Sequence, residues 1–444
     1  MNQLQIVVLA AGHGTRMKSD IPKILHPLGG RPVLHYVLDL AWGVAPKEIV
    51  LVVSPALKGI QTPFKHQTVV QHPARGTGDA VKWALPHLKP EGFVLVLFGD
   101  TPLIRQETIE TMLALAQRKS DLAVILLGMC PKDKQNYARL VLNDKGELEE
   151  VIEFNDLKGN QHEIALCNSG VALIRGDLLE SLLASLTPNN AANEYYLTDL
   201  VKIARGKGYT CGVVEGNASE FMGINTRGDL SLAEATLQDR WRDKAMTEGV
   251  TLLDPKTTYF SYDTKLETDV TIHACVVFGP GVEIKKGAEV LSFCRISDSH
   301  IGAKAVVGPF AHLRGGVILH EAAEIGNFVE VKKSTFGTKA KAKHLSYIGD
   351  TEIGAESNIG AGTITCNYDG FRKSKTSIGT GVFIGSNTSL VAPISIGDYA
   401  MVGAGSVVTQ NVESGHLALA RAAQTTIEKG AEKFREKRRT GKEL

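Results

Sequence analysis

The sequence predicts two fold classes in one chain: an α/β domain with a mainly parallel sheet in the first half, and a parallel β-helix in the second. In the first half, short apolar runs alternate with stretches that have a helical pattern. In the second half, apolar residues recur every six positions, a period that neither an α-helix nor an alternating strand has. A chain of 444 residues, 43% hydrophobic and 22% charged, is long enough for more than one core.

The predicted α/β domain extends from Gln5 to about Gly223. Its strands are expected at four apolar runs, and Glu107–Arg118 is typical of the helices between them. The four runs are Gln5–Ala11, Glu48–Val53, Phe93–Leu97 and Leu122–Leu127. The alternation of single strands with helices favours a Rossmann-like arrangement.

A helix is expected to follow this domain. Apolar residues lie near a helical period at Leu230, Ala233, Leu237, Trp241 and Ala245. We therefore predict a first domain at 1–227, a helical linker at 228–248 and a second domain at 249–444.

The six-residue step defines the second domain. It is strictest at Ile378, Ile384, Leu390, Ile396, Val402 and Val408. It also appears at Leu313, Leu319, Ile325 and Val331, at Tyr347, Ile353 and Ile359, and more loosely at Ile272, Phe278, Ile284, Val290 and Ile296. This hexapeptide pattern predicts a left-handed parallel β-helix, in which an apolar residue of each hexapeptide points inward and three hexapeptides make one triangular coil.

Two segments do not follow the step. The stretch 366–376 interrupts it, and we expect a loop that leaves the coil, where binding groups are often carried. The last residues, 428–444, are dominated by Lys, Arg and Glu, and we expect a charged tail that is solvated or disordered.

Composition excludes several classes of partner. Lys plus Arg total 49 and Asp plus Glu total 48, so no net charge favours nucleic acid or an anionic membrane. The apolar run Ile6–Ala11 is too short to cross a bilayer. The six cysteines show no CxxC spacing, which predicts neither disulfides nor structural zinc and favours a reducing, cytoplasmic location.

A glycine-rich turn follows the first predicted strand. Its sequence is Ala-Ala-Gly-His-Gly-Thr-Arg at positions 10–16, and Arg16 and Lys23 add two cations. Exposed backbone N–H groups in such a turn can hold phosphates. It is neither a Walker loop, since no GKS or GKT follows, nor a dinucleotide fingerprint, since Met17 stands where the third glycine would be. The glycines alone indicate only a tight turn.

The run LAAGHGTRM followed by DIPKILH resembles the sugar-phosphate nucleotidyltransferases. In that family a sugar 1-phosphate attacks the α-phosphorus of UTP and pyrophosphate leaves, so the resemblance implies a protein that positions reactants and neutralises charge. It also implies that Asp100 and Asn225 hold Mg²⁺. The residues implied to bind UTP and the sugar are Leu9, Ala10, Ala11, Gly12, Arg16, Lys23, Gln71, Gly76, Thr77, Phe98, Gly99, Asp100, Ala138, Glu153, Asn168, Tyr196, Thr198 and Asn225.

Four positions depart from the common pattern of that family. Phe98 stands where Tyr is frequent, Ala138 where Gly usually presents its N–H to the sugar, Asn155 where Lys is frequent, and Ser169 in place of Thr. The methyl group of Ala138 narrows the approach of the sugar to the backbone.

The second half carries its own group of polar residues. The run NFVEVKK, HLSYIGD and NIGAGTITCNYDG resembles the glucosamine-1-phosphate acetyltransferase domain. His344 is the candidate general base, because an imidazole titrates near neutral pH and an amine must lose a proton as it attacks acetyl-CoA. The resemblance implies that the sugar phosphate is bound by Arg314, Lys332, Tyr347 and Asn358. It implies that the acetyl-CoA site includes Ala361, Asn367, Tyr368, Ser386, Ala404 and Arg421, with Asn367 also close to the amine.

Both halves together resemble the bifunctional enzymes that acetylate glucosamine 1-phosphate and then transfer UMP to the product. The resemblance implies UTP, glucosamine 1-phosphate and acetyl-CoA as substrates, and a homotrimer with acetyl sites where β-helices meet. Two alternatives stay open: a single-activity pyrophosphorylase with a regulatory β-helix, and a non-catalytic scaffold. Asp100 with Asn225 argues against the scaffold, and His344 with Asn367 and Tyr368 argues against the single activity.

Overall fold

The computed structural model describes residues 3–12, 14–134, 136–190 and 192–440. His13 of the glycine-rich turn and residues 441–444 of the charged tail lie outside these ranges. The chain forms two compact units, residues 1–240 and 241–444. The division falls within a helix at Arg227–Thr247, in the region where the sequence predicts a helical linker.

The first unit contains eleven strands and most of the helices of the described residues. The helices are α1 (Val33–Gly43), α2 (Thr77–Ala84), α3 (Gln106–Arg118), α4 (Gly176–Ala184), α5 (Asp199–Gly206) and α6 (Arg227–Thr247), the last of which continues into the second unit. The strands are β1 (Leu4–Ala10), β2 (Pro27–Leu28), β3 (Arg31–Pro32), β4 (Glu48–Val53), β5 (Gln67–Val70), β6 (Phe93–Phe98), β7 (Leu122–Met129), β8 (Arg139–Leu142), β9 (Leu148–Ile152), β10 (Cys167–Arg175) and β11 (Thr210–Glu215).

The main sheet has the order β11-β7-β10-β6-β1-β4-β5, and β8 and β9 extend it from β10. Strands β6, β1, β4 and β5 are parallel, as are β7 and β11. Strand β10 is antiparallel to both β6 and β7, so the sheet is mixed. The predicted α/β class is confirmed, and the parallel part of the sheet is the part that carries the glycine-rich turn.

Both faces of this sheet are covered by helices. Along β1, Ile6 and Val8 pack in one core with α1 and α3, whereas Val7 and Leu9 pack in another with α2, α4 and α5. A strand buried on both faces must be apolar throughout, which explains the uninterrupted run of β1. Within the described ranges, every helix is too short or too polar to serve as a transmembrane span.

The second unit is built from short parallel strands in three sheets, one for each side of a triangular coil. The first sheet contains β12 (Thr251–Leu252), β14 (Thr271–Ile272), β17 (Glu289–Val290), β20 (Val306–Val307), β23 (Glu324–Asn327), β26 (Lys341–His344), β29 (Asn358–Ile359), β32 (Phe383–Ile384), β35 (Met401–Val402) and β37 (Leu417–Ala418). The second contains β13 (Lys265–Leu266), β16 (Val282–Ile284), β19 (Ser299–Ile301), β22 (Val317–Leu319), β25 (Thr335–Phe336), β28 (Thr351–Ile353), β31 (Thr376–Ile378) and β34 (Ile394–Ile396). The third contains β15 (Val277–Phe278), β18 (Arg295–Ile296), β21 (His312–Arg314), β24 (Glu330–Lys332), β27 (Tyr347–Gly349), β30 (Ile364–Cys366), β33 (Ser389–Val391) and β36 (Val407–Val408).

The six-residue step corresponds to the interior of this β-helix. With one exception, every residue assigned to the step is buried in a single core. The exception is Tyr347, because Ile348 takes the interior position and pairs with Val331 of the preceding coil. The spacing therefore predicted an interior position for Tyr347 wrongly, and its ring is left on the outer side.

The two irregular segments also have defined positions. The predicted loop runs between β30 and β31, and Phe371 at its tip is 93% exposed. The charged tail contains a helix, α7 (Gly430–Arg439), which has no buried residue. The expectation of a solvated segment holds for these residues, but they are helical rather than disordered.

One corner of the β-helix carries an exposed aromatic column, which we define as Phe293, Phe310 and Phe328. Each has a left-handed backbone conformation, and each side chain is about half exposed. Successive rings stack with centroids 4.8 Å and 5.0 Å apart. Leu345 has the same backbone conformation one coil further on and is 61% exposed. The column therefore forms an apolar stripe that one chain leaves open to solvent.

Candidate active sites

The glycine-rich turn lies at the edge where the parallel strands end. Strands β1, β4 and β6 run in the same direction, so their carboxyl ends meet at this edge. Ligands of open α/β sheets bind at such an edge. A cavity of about 290 Å³ lies there. Its lining includes ten of the predicted residues: Leu9, Ala10, Ala11, Gly12, Lys23, Gln71, Gly76, Thr77, Phe98 and Asp100.

The opposite wall of this cavity depends on a glycine. Gly76 has φ +108, and a Cβ at this position would lie 2.7 Å from the backbone oxygen of Tyr195. The neighbouring chain is fixed by backbone hydrogen bonds from Gly78 to Tyr195 and from Tyr195 to Arg75, both 2.8 Å. Glycine is required here because the segment at Tyr195 approaches the loop so closely.

A second cavity, of about 250 Å³, shares Thr77 and Phe98 with the first. Its lining contains four more of the residues predicted to bind UTP and the sugar: Ala138, Glu153, Asn168 and Thr198. The lining also includes residues that the sequence interpretation did not select, among them Ile24, Ala74, Ala80 and Glu194 in the first cavity and Asn136, Tyr137, Gly170 and Leu197 in the second. Two adjoining cavities suit two joined groups such as a nucleotide and a sugar.

A polar cluster lies beside the first cavity. The Lys23 ammonium donates to the Asp100 carboxylate, and it also donates to Oδ1 of Asn225 at 3.1 Å. Arg16 donates to the same Asn225 oxygen at 2.9 Å. The structure thus brings together the two predicted cations and the two predicted metal ligands, which are far apart in the sequence.

Asn225 is positioned by the start of α6. The Asp229 carboxylate accepts from the backbone N–H of Asn225 at 2.9 Å and of Thr226 at 2.8 Å, and Thr226 Oγ1 accepts from the N–H of Asp229 at 3.1 Å. This reciprocal pattern is a capping box with Asp in the acidic position. We did not select Thr226 or Asp229 from the sequence, although the Thr-x-x-Asp spacing was a usable signal.

The pKa of Glu153 is raised, first by burial and then by the nearby Asp199 and Asp156 carboxylates. The Thr198 hydroxyl donates to its Oε1 at 2.7 Å, which favours the ionised form. The carboxylate therefore takes up a proton at a higher pH than an ordinary glutamate does.

Two of the predicted residues outside the polar cluster line neither cavity. One is Tyr196, whose pKa is raised by burial and by the charge on Glu153. The other is Gly99, whose backbone N–H donates to the backbone oxygen of Leu9 at 2.8 Å.

In the β-helix, His344 lies at the end of β26 with its side chain exposed. Its Nδ1 is 2.6 Å from Oδ1 of Asn327, the residue that pairs with it in the preceding coil. A Cβ at Gly326, next to Asn327, would collide with the backbone of Lys343, so glycine allows the two coils to approach. If the amide oxygen accepts from Nδ1–H, Nε2 is left without a proton and can act as a base. Asn327 was not selected from the sequence.

Variants of Asn327 test this arrangement. We expect Asn327→Ala to lower kcat for acetyl transfer by about tenfold, because one hydrogen bond that orients the ring is lost. We expect Asn327→Asp to move the acidic limb of the pH profile to higher pH, because a carboxylate favours the protonated imidazole and the base is then free only at higher pH. The profile of kcat/KM measures both effects. An unmoved acidic limb in Asn327→Asp would contradict the orienting role.

Basic groups gather on the third sheet. Arg314 and Lys332 are paired in register on β21 and β24. The Arg314 Nε donates to the Glu330 carboxylate at 2.9 Å. The Lys332 ammonium lowers the pKa of Lys373, a residue of the protruding loop. Like charges held together in this way are typical of a site for an anion such as a phosphate.

Tyr347 and Asn367 meet above Gly349. A Cβ on Gly349 would lie 2.6 Å from the Tyr347 hydroxyl and 2.7 Å from Nδ2 of Asn367. Asn367 is buried, and its amide donates to the Asp350 carboxylate at 2.5 Å. The structure therefore brings these two predicted residues together through a glycine that has no room for a side chain.

Three of the six residues predicted for acetyl-CoA form a column on successive coils. Register places Ala361, Ser386 and Ala404 at equivalent positions, and Arg421 donates to the backbone oxygen of Ala404 at 2.9 Å. Tyr368 lies apart on the protruding loop and is 60% exposed.

Asn358 is on β29 of the first sheet, whereas Arg314, Lys332 and Tyr347 are on the third. In the described part of one chain, no side-chain hydrogen bond joins Asn358 to these three residues.

Comparisons with known proteins identify both halves. The model of the MobA-like NTP transferase domain matches residues 6–144, which include the glycine-rich turn and Asp100. The model of the bacterial transferase hexapeptide, six repeats, matches residues 375–410, which include the strictest part of the step. The parallel β-helix is thus a hexapeptide-repeat β-helix of the left-handed type. The match of the first half to an NTP transferase domain indicates that its reaction needs a divalent metal ion.

Several relatives are similar to the chain along almost its whole length. The bifunctional protein GlmU of Paramagnetospirillum magneticum is 49% identical over 436 residues, covering 98% of this chain and 97% of the relative. That of Rhodospirillum rubrum is 48% identical over 446 residues, with full coverage of both chains. That of Sphingopyxis alaskensis is 44% identical over 444 residues, covering 99% and 98%. The chain therefore belongs to the GlmU family of bifunctional proteins.

Proposed function

We propose that this protein makes UDP-N-acetylglucosamine in two reactions. The second unit transfers an acetyl group from acetyl-CoA to glucosamine 1-phosphate, and the first unit then transfers UMP from UTP to the product. The observation that carries this proposal is the presence, in one chain of a bifunctional family, of both the Asp100–Asn225 cluster and the His344–Asn327 pair. We assign uridylyl transfer to 1–227, the linker to 228–248 and acetyl transfer to 249–444.

For acetyl transfer, we assign His344 the role of general base. Its Nε2 takes a proton from the amine as the amine nitrogen attacks the thioester carbonyl, and the CoA sulfur leaves as the new amide bond forms. Arg314, Lys332 and Tyr347 hold the sugar phosphate, and Asn358 and Asn367 bind the sugar. The small side chains of Ala361, Ser386 and Ala404 leave a smooth column for the extended arm of the cofactor, and Arg421 binds its anionic end.

For uridylyl transfer, an oxygen of the sugar phosphate attacks the α-phosphorus of UTP and pyrophosphate leaves. Lys23 and Arg16 neutralise phosphate charge. Asp100 and Asn225 would hold Mg²⁺, a fit supported by their two oxygens, which already converge on one cationic group, the Lys23 ammonium. When bound, the ion supplies charge neutralisation at the phosphates. In the second cavity, Ala138, Glu153 and Asn168 bind the sugar.

The proposal includes a homotrimer. Exposed apolar stripes on soluble proteins mark interaction surfaces, and the aromatic column continues to Leu345, next to His344. A second copy on this corner would cover the stripe and border the acetyl site. Sedimentation at several protein concentrations measures the mass of the assembly. A cytoplasmic location is also proposed, because the six cysteines lack paired spacing.

One assay separates this proposal from the two alternatives. The protein is given glucosamine 1-phosphate, acetyl-CoA and UTP, and in a second mixture N-acetylglucosamine 1-phosphate and UTP without acetyl-CoA. UDP-sugar in both mixtures supports the bifunctional enzyme. UDP-sugar in the second mixture alone would indicate a single-activity pyrophosphorylase, and none in either would indicate a scaffold.

Cys366 offers a second route for the acetyl group, through an acetyl-cysteine. The thiol lies at the end of β30, partly exposed and next to Asn367. We expect direct transfer, so Cys366→Ala should change the acetylation rate by no more than about twofold, as is usual for a side chain outside the chemistry. Rapid-quench kinetics with mass spectrometry of the enzyme tests this. An acetylated wild-type Cys366 on the reaction time scale, with an inactive variant, would contradict direct transfer.

A further inference from the structure

A buried carboxylate lies behind the first cavity and contributes nothing to the two reactions as described so far. It belongs to Asp79, in the first turn of α2, and its side chain is only 9% exposed. Gln71, which is also buried, donates from Nε2 to an Asp79 oxygen at 2.9 Å and to the backbone oxygen of Gly76 at 3.2 Å. Gln71 lines the cavity, whereas Asp79 does not.

These two contacts fix the orientation of the Gln71 amide. A carboxylate and a backbone carbonyl can only accept, so the NH₂ group of Gln71 must face both of them. The opposite orientation would set the amide oxygen against two acceptors in a buried site, which is costly. No group of the described residues donates to Oε1 of Gln71, so this oxygen remains as an acceptor for a ligand.

The hydrogen bond to Gln71 is the strongest contact that Asp79 makes. Its other charged neighbour, Arg75, is 4.0 Å away and 55% exposed, an arrangement that contributes little in water. Asp79 is also in the first turn of a helix, where a negative charge is favourable. However, no backbone N–H of that turn donates to its side chain in the described ranges, so it does not act as a helix cap.

We propose that Asp79 is a positioning residue that selects the nucleobase by holding the Gln71 amide with its oxygen toward the cavity. This inference rests on the proposed uridylyl transfer. A fixed acceptor suits a base with a ring N–H beside a carbonyl, as in uracil. Cytosine has an acceptor nitrogen at the same ring position, so two acceptors, this nitrogen and the Gln71 oxygen, would face each other without a hydrogen bond. Sites built on a fixed hydrogen bond reject analogues that cannot make it.

The test measures kcat/KM for UTP and for CTP with N-acetylglucosamine 1-phosphate. We expect Asp79→Leu to lower the UTP/CTP ratio by about one to two orders of magnitude, since the amide is then free to turn. Asp79→Asn keeps an acceptor in one of its two orientations and should lower the ratio less. In the double variant Gln71→Glu/Asp79→Asn, the new asparagine can donate to the new carboxylate, which still offers an oxygen to the base. This variant should regain much of the preference for UTP.

Two further measurements separate positioning from a structural role. Arg75→Ala removes the nearby charge but keeps the hydrogen bond, and it should leave the UTP/CTP ratio unchanged. Thermal unfolding of each variant reports loss of stability separately. If Asp79→Leu and Asp79→Asn lower both kcat/KM values by the same factor, or leave the ratio as it is, the inference is overturned. If the wild-type protein makes no UDP-sugar from UTP, the proposed function itself fails.

Discussion

Replacing His344 by alanine is expected to lower acetyl transfer by about 10²- to 10⁴-fold and to leave uridylyl transfer unchanged. The variant removes the imidazole that contacts Asn327, so the amine must lose its proton to water instead. The side chain is exposed and contributes little to the core, so the β-helix should remain folded. Release of free CoA measures the first reaction, and release of pyrophosphate measures the second.

The matched control for this variant is His320→Ala. His320 is another exposed histidine of the β-helix, on an earlier coil. We expect both activities to be retained, which excludes a general effect of removing a surface imidazole. Parallel loss of both activities in a folded His344→Ala protein would contradict two independent sites. Retention of acetyl transfer would contradict the role of His344 as the base.

Replacing Asp100 by asparagine is expected to give the complementary result, a loss of uridylyl transfer of about 10²- to 10³-fold with acetyl transfer unchanged. Asparagine has the same size and can still accept from the Lys23 ammonium, so the polar cluster should persist. What is lost is the negative charge that favours a divalent ion. Pyrophosphate release measured over a range of Mg²⁺ concentrations should show that the variant needs more metal than the wild type.

Asp144→Asn serves as the control for charge. Asp144 is an exposed turn residue of the same unit, away from both cavities. It should leave the activity and the Mg²⁺ dependence unchanged. An Asp100→Asn enzyme with normal uridylyl transfer at low Mg²⁺ would show that Asp100 is not a metal ligand.

The features predicted well from the sequence are those set by local periodicity. An interior residue of a β-helix must be apolar, so Ile378, Ile384 and their equivalents reveal the coil directly. A strand covered on both faces is apolar throughout, so β1 and β6 were recognisable too. Strand direction is not encoded in such a run, which is why the antiparallel β10 did not emerge from the pattern.

Contacts between coils were harder to predict. Asn327 and His344 meet because the turns of the β-helix stack in register, and this coil is one residue shorter than the coil before it. Because of the same irregularity, the six-residue spacing predicts Tyr347 at the interior position that Ile348 occupies in the structure. Likewise, the contact of Gln71 with Asp79 depends on how a loop returns to a helix. Residue types suggested which side chains do chemistry, but their supporting partners required the three-dimensional arrangement.

The loop between β30 and β31 leaves the coil without disturbing it. Glu352, on β28 before the loop, pairs with Ser377 on β31 after the loop. Ser377 in turn pairs with Ser395 on β34, so the strands on either side of the loop stay in register. Because the loop begins and ends at one corner of the β-helix, its length does not affect how the coils stack. The tip of this segment can therefore change in length or sequence while the coils on either side keep their stacking.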